Sequence, residues 1–239
     1  MNVNTQNYWR KIAMKSFFLS LMNKFIFCGF YILLLYYNER RDEVKEVVIM
    51  KKSIGIHLPV YPAPVLIIGN YDEKGKPNVM AAAWGGICCS VPPCITISLQ
   101  KIRYSYNNIV DRKAFTVNIP SEKYVKESDY FGMVSGREHD KLSITNLTPM
   151  RGEKVDAPYI EEFPVSIECK LLQTVELGTH VMLVGEVVNT LADEECLTCD
   201  NYPDPEKVRP IIFTPKYRRY YALGADLGEA FHMGRFFMK

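Results

Sequence analysis

The 239-residue sequence lacks both glycine motifs that hold a nucleotide phosphate at a strand-to-helix turn. No G-x-G-x-x-G follows a strand-like segment, and G-x-x-x-x-G-K-[ST] is absent. A phosphate bound here is therefore held by neither a Rossmann turn nor a P-loop. Charge of one sign is also lacking: 29 basic and 27 acidic residues in mixed order leave a formal net charge of +2. That balance excludes a broad basic face for nucleic acid. The seven cysteines (28, 88, 89, 94, 169, 196 and 199) are odd in number and irregular in spacing. They do not form a disulfide framework, and free thiols fit a reducing, cytoplasmic setting. Cys196-Leu197-Thr198-Cys199 has no partner pair and no nearby His, so no metal site is expected, and a single C-x-x-C does not establish a redox dithiol.

Long hydrophobic runs are scarce as well. Ser16 to Tyr37 is strongly apolar, but Asn23-Lys24 interrupts it, and Phe25 to Tyr37 falls short of the roughly 20 residues that span a bilayer. Lys11 and Lys15 stand where a signal peptide has its basic region, yet Asn38-Glu39-Arg40-Arg41 follows in place of a small-residue cleavage site. A further reading is that translation begins at Met50, because Lys45-Glu46-Val47 can be encoded as a purine-rich ribosome-binding core. Residues 1–49 are thus expected to be an N-terminal extension, either a mis-assigned start or a membrane anchor, and 50–239 the functional domain. Membrane association follows only if residues 1–49 are translated.

What is present reads as antiparallel β structure. Strands are expected at Pro64–Tyr71, Asn78–Trp84, Cys94–Gln100, Ala114–Ile119, Val165–Val175, His180–Leu191 and Arg218–Leu223, with a hairpin turn across 72–77 and a tight connection at 176–178. Short helices fit 104–112 and 122–131, without the βαβ alternation of a doubly wound fold. Many short strands separated by turns predict a closed or nearly closed barrel.

Two strands carry polar groups on one face. Asn78, Met80, Ala82 and Trp84 alternate with Val79, Ala81 and Ala83, and Thr96, Ser98 and Gln100 alternate with Ile95, Ile97 and Leu99. A solvated outer face would explain this. So would a flat aromatic ligand lying on backbone that the small alanines leave open. Donors gather at Lys101, Arg103 and Ser105 and again across 135–141, where they could be solvated turns or could together meet a phosphate dianion. His180 heads its strand, and a lone His of this kind is ordinarily structural or exposed.

These segments, "PAPVLIIGNYDEKGKPNVMAAAWGGICCSVPP", "ITISLQKIRYSYNNI", "AFTVNIP", "SGREHDK", "APYIEEFPVSIEC" and "LGTHVMLVGEV", occur in the order and approximate spacing of a known family. From Met50 to Lys239 the chain resembles the flavin reductase-like, FMN-binding split-barrel family, most closely its flavoredoxin branch. The resemblance implies a mainly β, antiparallel split barrel with a few short helices. It implies FMN across the barrel face, with its phosphate near Arg103, Ser105 and Asn108. Asn78, Trp84, Lys141 and His180 match the family's flavin-site residues, and Phe213 its ring-closing aromatic. Ala82 and Ala83 then admit the isoalloxazine, while Ser98 and Gln100 serve its polar edges. Ser105 stands where the family usually has Thr, keeping the hydroxyl and losing a methyl.

The resemblance also implies a homodimer with flavin sites at the interface, and electrons supplied by NAD(P)H or a redox partner protein. No side chain is assigned as a general acid, His180 included, because hydride chemistry belongs to the flavin. An FMN-dependent oxidoreductase is the first expectation and an FMN electron carrier without nicotinamide activity the second. A flavin-free, membrane-tethered binding protein is the third, since fold does not fix function.

Overall fold

The computed structural model describes residues 50–238. The apolar run at 16–37 and the Lys45–Val47 segment lie outside the described residues. The described residues divide between two units at position 57/58. In the first, Met50–His57 carries no helix or strand.

The second unit starts with β1 (Ala63–Pro64), β2 (Leu66–Tyr71), β3 (Pro77–Ala82), β4 (Gly85–Ser90) and β5 (Pro93–Leu99). The β2–β3 turn forms because the Asp72 carboxylate accepts from the backbone N–H groups of Lys74 (2.9 Å) and Lys76 (2.8 Å), while Gly75 takes the left-handed conformation (φ 80°) that favours glycine. Helix α1 (Tyr104–Arg112) follows, then β6 (Ala114–Ile119), a 3₁₀ turn at Glu122–Tyr124, α2 (Val125–Met133) and α3 (Lys141–Thr145). The chain continues through β7 (Pro149–Arg151), β8 (Pro158–Ile160), the long pair β9 (Val165–Leu177) and β10 (His180–Ala192), α4 (Pro205–Val208), β11 (Ile212–Thr214) and β12 (Arg219–Tyr221).

Seven strands form one antiparallel sheet in the order β3-β2-β6-β9-β10-β5-β4. Its outer strands, β3 and β4, are separated in the chain by Ala83 and Trp84 alone. So short a link spans only about 10 Å, which curls the sheet and sets its two edges side by side at a seam. The Trp84 carbonyl accepts from the Ser98 N–H at 2.7 Å, which extends the β4–β5 ladder by one residue into the link. The result is a mainly β, antiparallel split barrel.

The barrel interior holds Leu66, Ile68, Ile97, Phe115, Val117 and Leu183, and α1 contributes Ile109 to it, with Tyr106 and Val110 packed alongside at helical spacing. On the other side of β2 and β3, Val65, Ile67 and Val79 pack with Phe131 of α2 and Leu142 of α3. Burial on both faces is why β2 opens with the apolar run Leu66-Ile67-Ile68.

Several bounds differ from the sequence reading. The expected strand Asn78–Trp84 stops at Ala82, because Trp84 belongs to the link that crosses the seam. The expected strand Arg218–Leu223 shortens to β12 at Arg219–Tyr221. The helix expected over 122–131 begins as a 3₁₀ turn before α2. The β9–β10 connection is Gly178-Thr179 rather than 176–178, with Gly178 at φ 57°.

Candidate functional site

A cavity of about 420 Å³ opens at the barrel seam, between β3, the Ala83-Trp84 link, the end of β5, the start of α1 and the loop after α2. Its volume falls in the range of about 300–1,000 Å³ typical of small-molecule sites. The wall from β3 is made of Met80, Ala81 and Ala82. Both parities of the strand reach the cavity because β3 is an edge strand and the cavity runs along that edge. Small alanines keep the wall flat. Trp84, 41% exposed, stands at one rim and Phe213 of β11 at another. Phe213 is seated against Tyr220, with ring centroids 5.4 Å apart.

A hydrogen-bonded chain underlies the polar wall. Asn78 Nδ2 donates to Asn70 Oδ1 (3.1 Å) and to Ser105 Oγ (3.0 Å), all three residues being buried. Both Asn78 amide protons are thereby committed, which leaves its Oδ1 as a free acceptor. Ser105 Oγ is used as an acceptor, so its own proton is available to donate. Ser105 lies in the first turn of α1, which has no side-chain cap at Arg103 and no acidic residue in that turn. Helix amides and the macrodipole therefore favour an anion there.

Lys141 opens α3, held in place by Asp140, whose side chain caps the helix by accepting from the Ser143 N–H at 3.2 Å. Asp140 is itself paired with Lys76 at 3.0 Å. The Lys141 side chain runs inward to 5% exposure, and Nζ donates to the carbonyls of Val79 (2.8 Å) and Phe131 (2.9 Å). Neither acceptor carries charge. Burial, reinforced by the Arg103 guanidinium, pulls the ammonium down to about 8. Arg103, Arg137 and Lys141 line the cavity, and no carboxylate does among the described residues.

The far rim is fixed by a second chain. Arg137 donates to the Ile102 carbonyl (3.0 Å) and lies over the Tyr104 ring, 5.4 Å from its centroid. Tyr104 donates through its hydroxyl to Asp72 Oδ2 at 3.0 Å. Burial alone would raise the Asp72 carboxyl, but the Lys76 amide, the Tyr104 hydroxyl and the Lys74 amide outweigh it and hold the group below the usual carboxylate range. Gly136 packs so closely on Asn78 that a Cβ there would overlap Asn78 Oδ1.

Every residue expected to surround FMN lines this cavity except Asn108. Asn108 sits one turn further along α1, where Nδ2 donates to Asn70 Oδ1 at 2.9 Å, behind the wall rather than in it. His180 reaches the cavity from the start of β10, its Nδ1 2.9 Å from Thr179 Oγ1. The sequence reading did not single out Met80, Tyr104, Phe131, Gly132 or Gly136 as site residues. Lys141 was expected from the resemblance, whereas the helix that carries it was not; the signal that marks the start of α3 is the capping residue Asp140. Among the described residues no group of His, Cys, Asp or Glu is arranged to hold a metal ion, and no helix is long and apolar enough to cross a membrane.

Fold and site together define a split barrel with a flat-walled, cationic cavity at its seam, suited to a planar ligand that carries negative charge. Residues 58–202 match the flavin reductase like domain, and the chain belongs to that family. The flavoredoxin of Desulfovibrio vulgaris (Miyazaki F) is 49% identical with a TM-score of 0.74, the match covering 77% of this chain and all (100%) of that one. Flavoredoxin from Methanosarcina acetivorans is 31% identical with a TM-score of 0.72, covering 79% of this chain and 98% of that one. A protein of Archaeoglobus fulgidus is 30% identical over 130 residues, 54% of this chain and 72% of its own length.

Proposed function

We propose that the protein is an FMN-binding oxidoreductase of the flavin reductase type, taking electrons from NAD(P)H or a redox partner protein and passing them on. The observation that carries this reading is Lys141, a buried ammonium whose two hydrogen-bond partners are neutral carbonyls, in a cavity whose described lining contains no carboxylate. An uncompensated buried cation is stabilised by an anionic ligand. Bound FMN would supply the hydride and electron chemistry.

The chain's own residues divide the remaining work. Ala82 and Ala83 leave a flat surface for the ring system, bordered by Trp84 and Phe213. Ser105, with its proton free to donate, and Arg103 at the open start of α1 suit a phosphate dianion. Asn78 Oδ1, Ser98 and Gln100 offer polar contacts, and Lys141 supplies the positive charge that favours a negatively charged reduced ring. His180 adds a polar group at the rim and is given no proton-transfer role. Residues 50–239 form the domain that carries this activity, which we place in the cytoplasm.

The 49% identity to a flavoredoxin favours a second reading, an FMN electron carrier without nicotinamide activity of its own. We also propose a homodimer, because exposed apolar side chains such as Leu227 (85%), Phe231 (96%) and Phe236 (80%) need cover. Light scattering on the purified chain should give twice the monomer mass. An absorbance spectrum with FMN separates the two functional readings. Flavin bands that bleach with anaerobic NADH or NADPH support the reductase, and bands that bleach only with dithionite support the carrier. A protein that retains no flavin refutes both.

A further inference from the structure

We propose that Cys89 and Cys94 are a reversible dithiol–disulfide site that takes a hydroperoxide as its oxidant. The two residues are direct cross-strand partners in the β4–β5 hairpin, one step from its closing pair, Ser90 and Pro93. Directly opposed strand residues place their Cβ atoms about 4.5–5.5 Å apart, close to the 3.5–4.5 Å that a disulfide requires. The Cys89 thiol donates to the Val91 carbonyl at 3.4 Å, within the turn that joins the two strands.

The hairpin selects which cysteine takes part. From Ile87 to Cys89 the β4 strand advances two residues while β5 advances one, from Ile95 to Cys94. Cys88 is the extra residue of this bulge and has no partner across the ladder. Without the bulge it would face Cys94. The bulge moves Cys89 into register instead.

Exposure divides the roles. Cys89 is open to solvent and Cys94 is buried. Burial, with the neighbouring Cys89 and Cys88 thiols, pushes the Cys94 thiol up, so it keeps its proton while the exposed Cys89 meets the oxidant. Cys89 thiolate attacks the peroxide, the O–O bond breaks, and one proton completes the alcohol or water that leaves, giving Cys89 sulfenic acid. The Cys94 thiol then attacks that sulfur, the S–O bond breaks, and water departs with the Cys94 proton. Two thiols have lost two electrons and two protons, and the peroxide has gained them. Two equivalents of a small thiol reverse the step by forming their own disulfide.

The test uses the full chain treated with hydrogen peroxide, quenched with catalase, alkylated with N-ethylmaleimide and digested with trypsin. Residues 75–101 contain Cys88, Cys89 and Cys94 in one peptide, because Lys76 precedes Pro77 and no other Lys or Arg intervenes before Lys101. The expected product carries one maleimide on Cys88 and is two hydrogens lighter across Cys89 and Cys94. Dithiothreitol before alkylation should restore three maleimides. Cys88→Ser should keep the linkage and Cys89→Ser should lose it. Three maleimides after peroxide, a linkage through Cys88, a bond between chains, or sulfinic acid in place of the disulfide would each overturn the proposal.

Discussion

Asn108 donates to the same carbonyl oxygen of Asn70 that receives the Asn78 amide, at 2.9 Å and 3.1 Å respectively. Asn70 is fully buried, so its Oδ1 is the fixed point from which Asn78, and through it Ser105, are oriented. Asn70→Ala should leave two amide donors without their acceptor and cost about 1–3 kcal/mol in urea unfolding, with weaker FMN binding as well. Asn108→Ala removes one donor of two and should lower FMN affinity by only a few fold in a fluorescence titration. A loss of a hundredfold would mean that Asn108 touches the ligand.

Lys141 predicts a pH dependence with a definite sign. Its folded value is about 8 against an ordinary 10.5. Between these pH values the unfolded chain still holds a proton that the folded chain has released, so stability of the ligand-free protein rises with pH across that window. Below about 8 both states are charged, and folding carries the full penalty of burying the ammonium, about 3 kcal/mol. Anion affinity runs the other way, strongest below pH 8 and falling above it. Lys141→Met should make the ligand-free protein more stable at pH 7 and FMN binding weaker, with a flat profile from pH 7 to 9. Calorimetry and a flavin titration at three pH values would check both arms.

Two glycines separate stability from binding. A Cβ on Gly185 would run into the Phe115 ring inside the barrel, so Gly185→Ala should destabilise by about 1–3 kcal/mol through overpacking. A Cβ on Gly136 would strike Asn78 Oδ1 at the cavity wall. Gly136→Ala should therefore weaken FMN binding about tenfold or more while shifting the melting temperature less than Gly185→Ala does.

Trp84 is 41% exposed and sits at the rim. Trp84→Ala should change unfolding free energy by less than about 1 kcal/mol while loosening flavin binding. An equal loss in both would make Trp84 a core residue, contrary to its position.

Much of this arrangement was legible in the sequence where local signals agreed. The strand Ala114–Ile119 and the helix Tyr104–Arg112 have the bounds that alternation, helical spacing and flanking residues indicate. β4 was hidden because Gly85 and Gly86 carry no side-chain pattern and the bulge at Cys88 breaks the alternation. The five residues of α3 are too few for periodicity. Asn108 lies behind the cavity wall for a reason of a different kind. A polar residue one turn into a helix can face a ligand or a side-chain amide distant in sequence, and only the tertiary position of Asn70 decides. The polar face of β6 shows the same ambiguity. Thr116 and Asn118 are fully buried, and Asn118 ties Ile67, Ile160 and Ser166 together at 2.9, 3.1 and 2.7 Å without reaching the cavity.

The two-residue link from Ala82 to Gly85 closes the sheet where the cavity lies. The five inner strands of the seven-stranded sheet are held by neighbours on both sides, while β3 and β4 each have one paired strand. Amide protons at these two edges should be the first in the sheet to exchange with solvent. A molecule seated between the edges slows the opening that exposes them, so occupancy of the site and the cooperativity of the whole sheet rise and fall together.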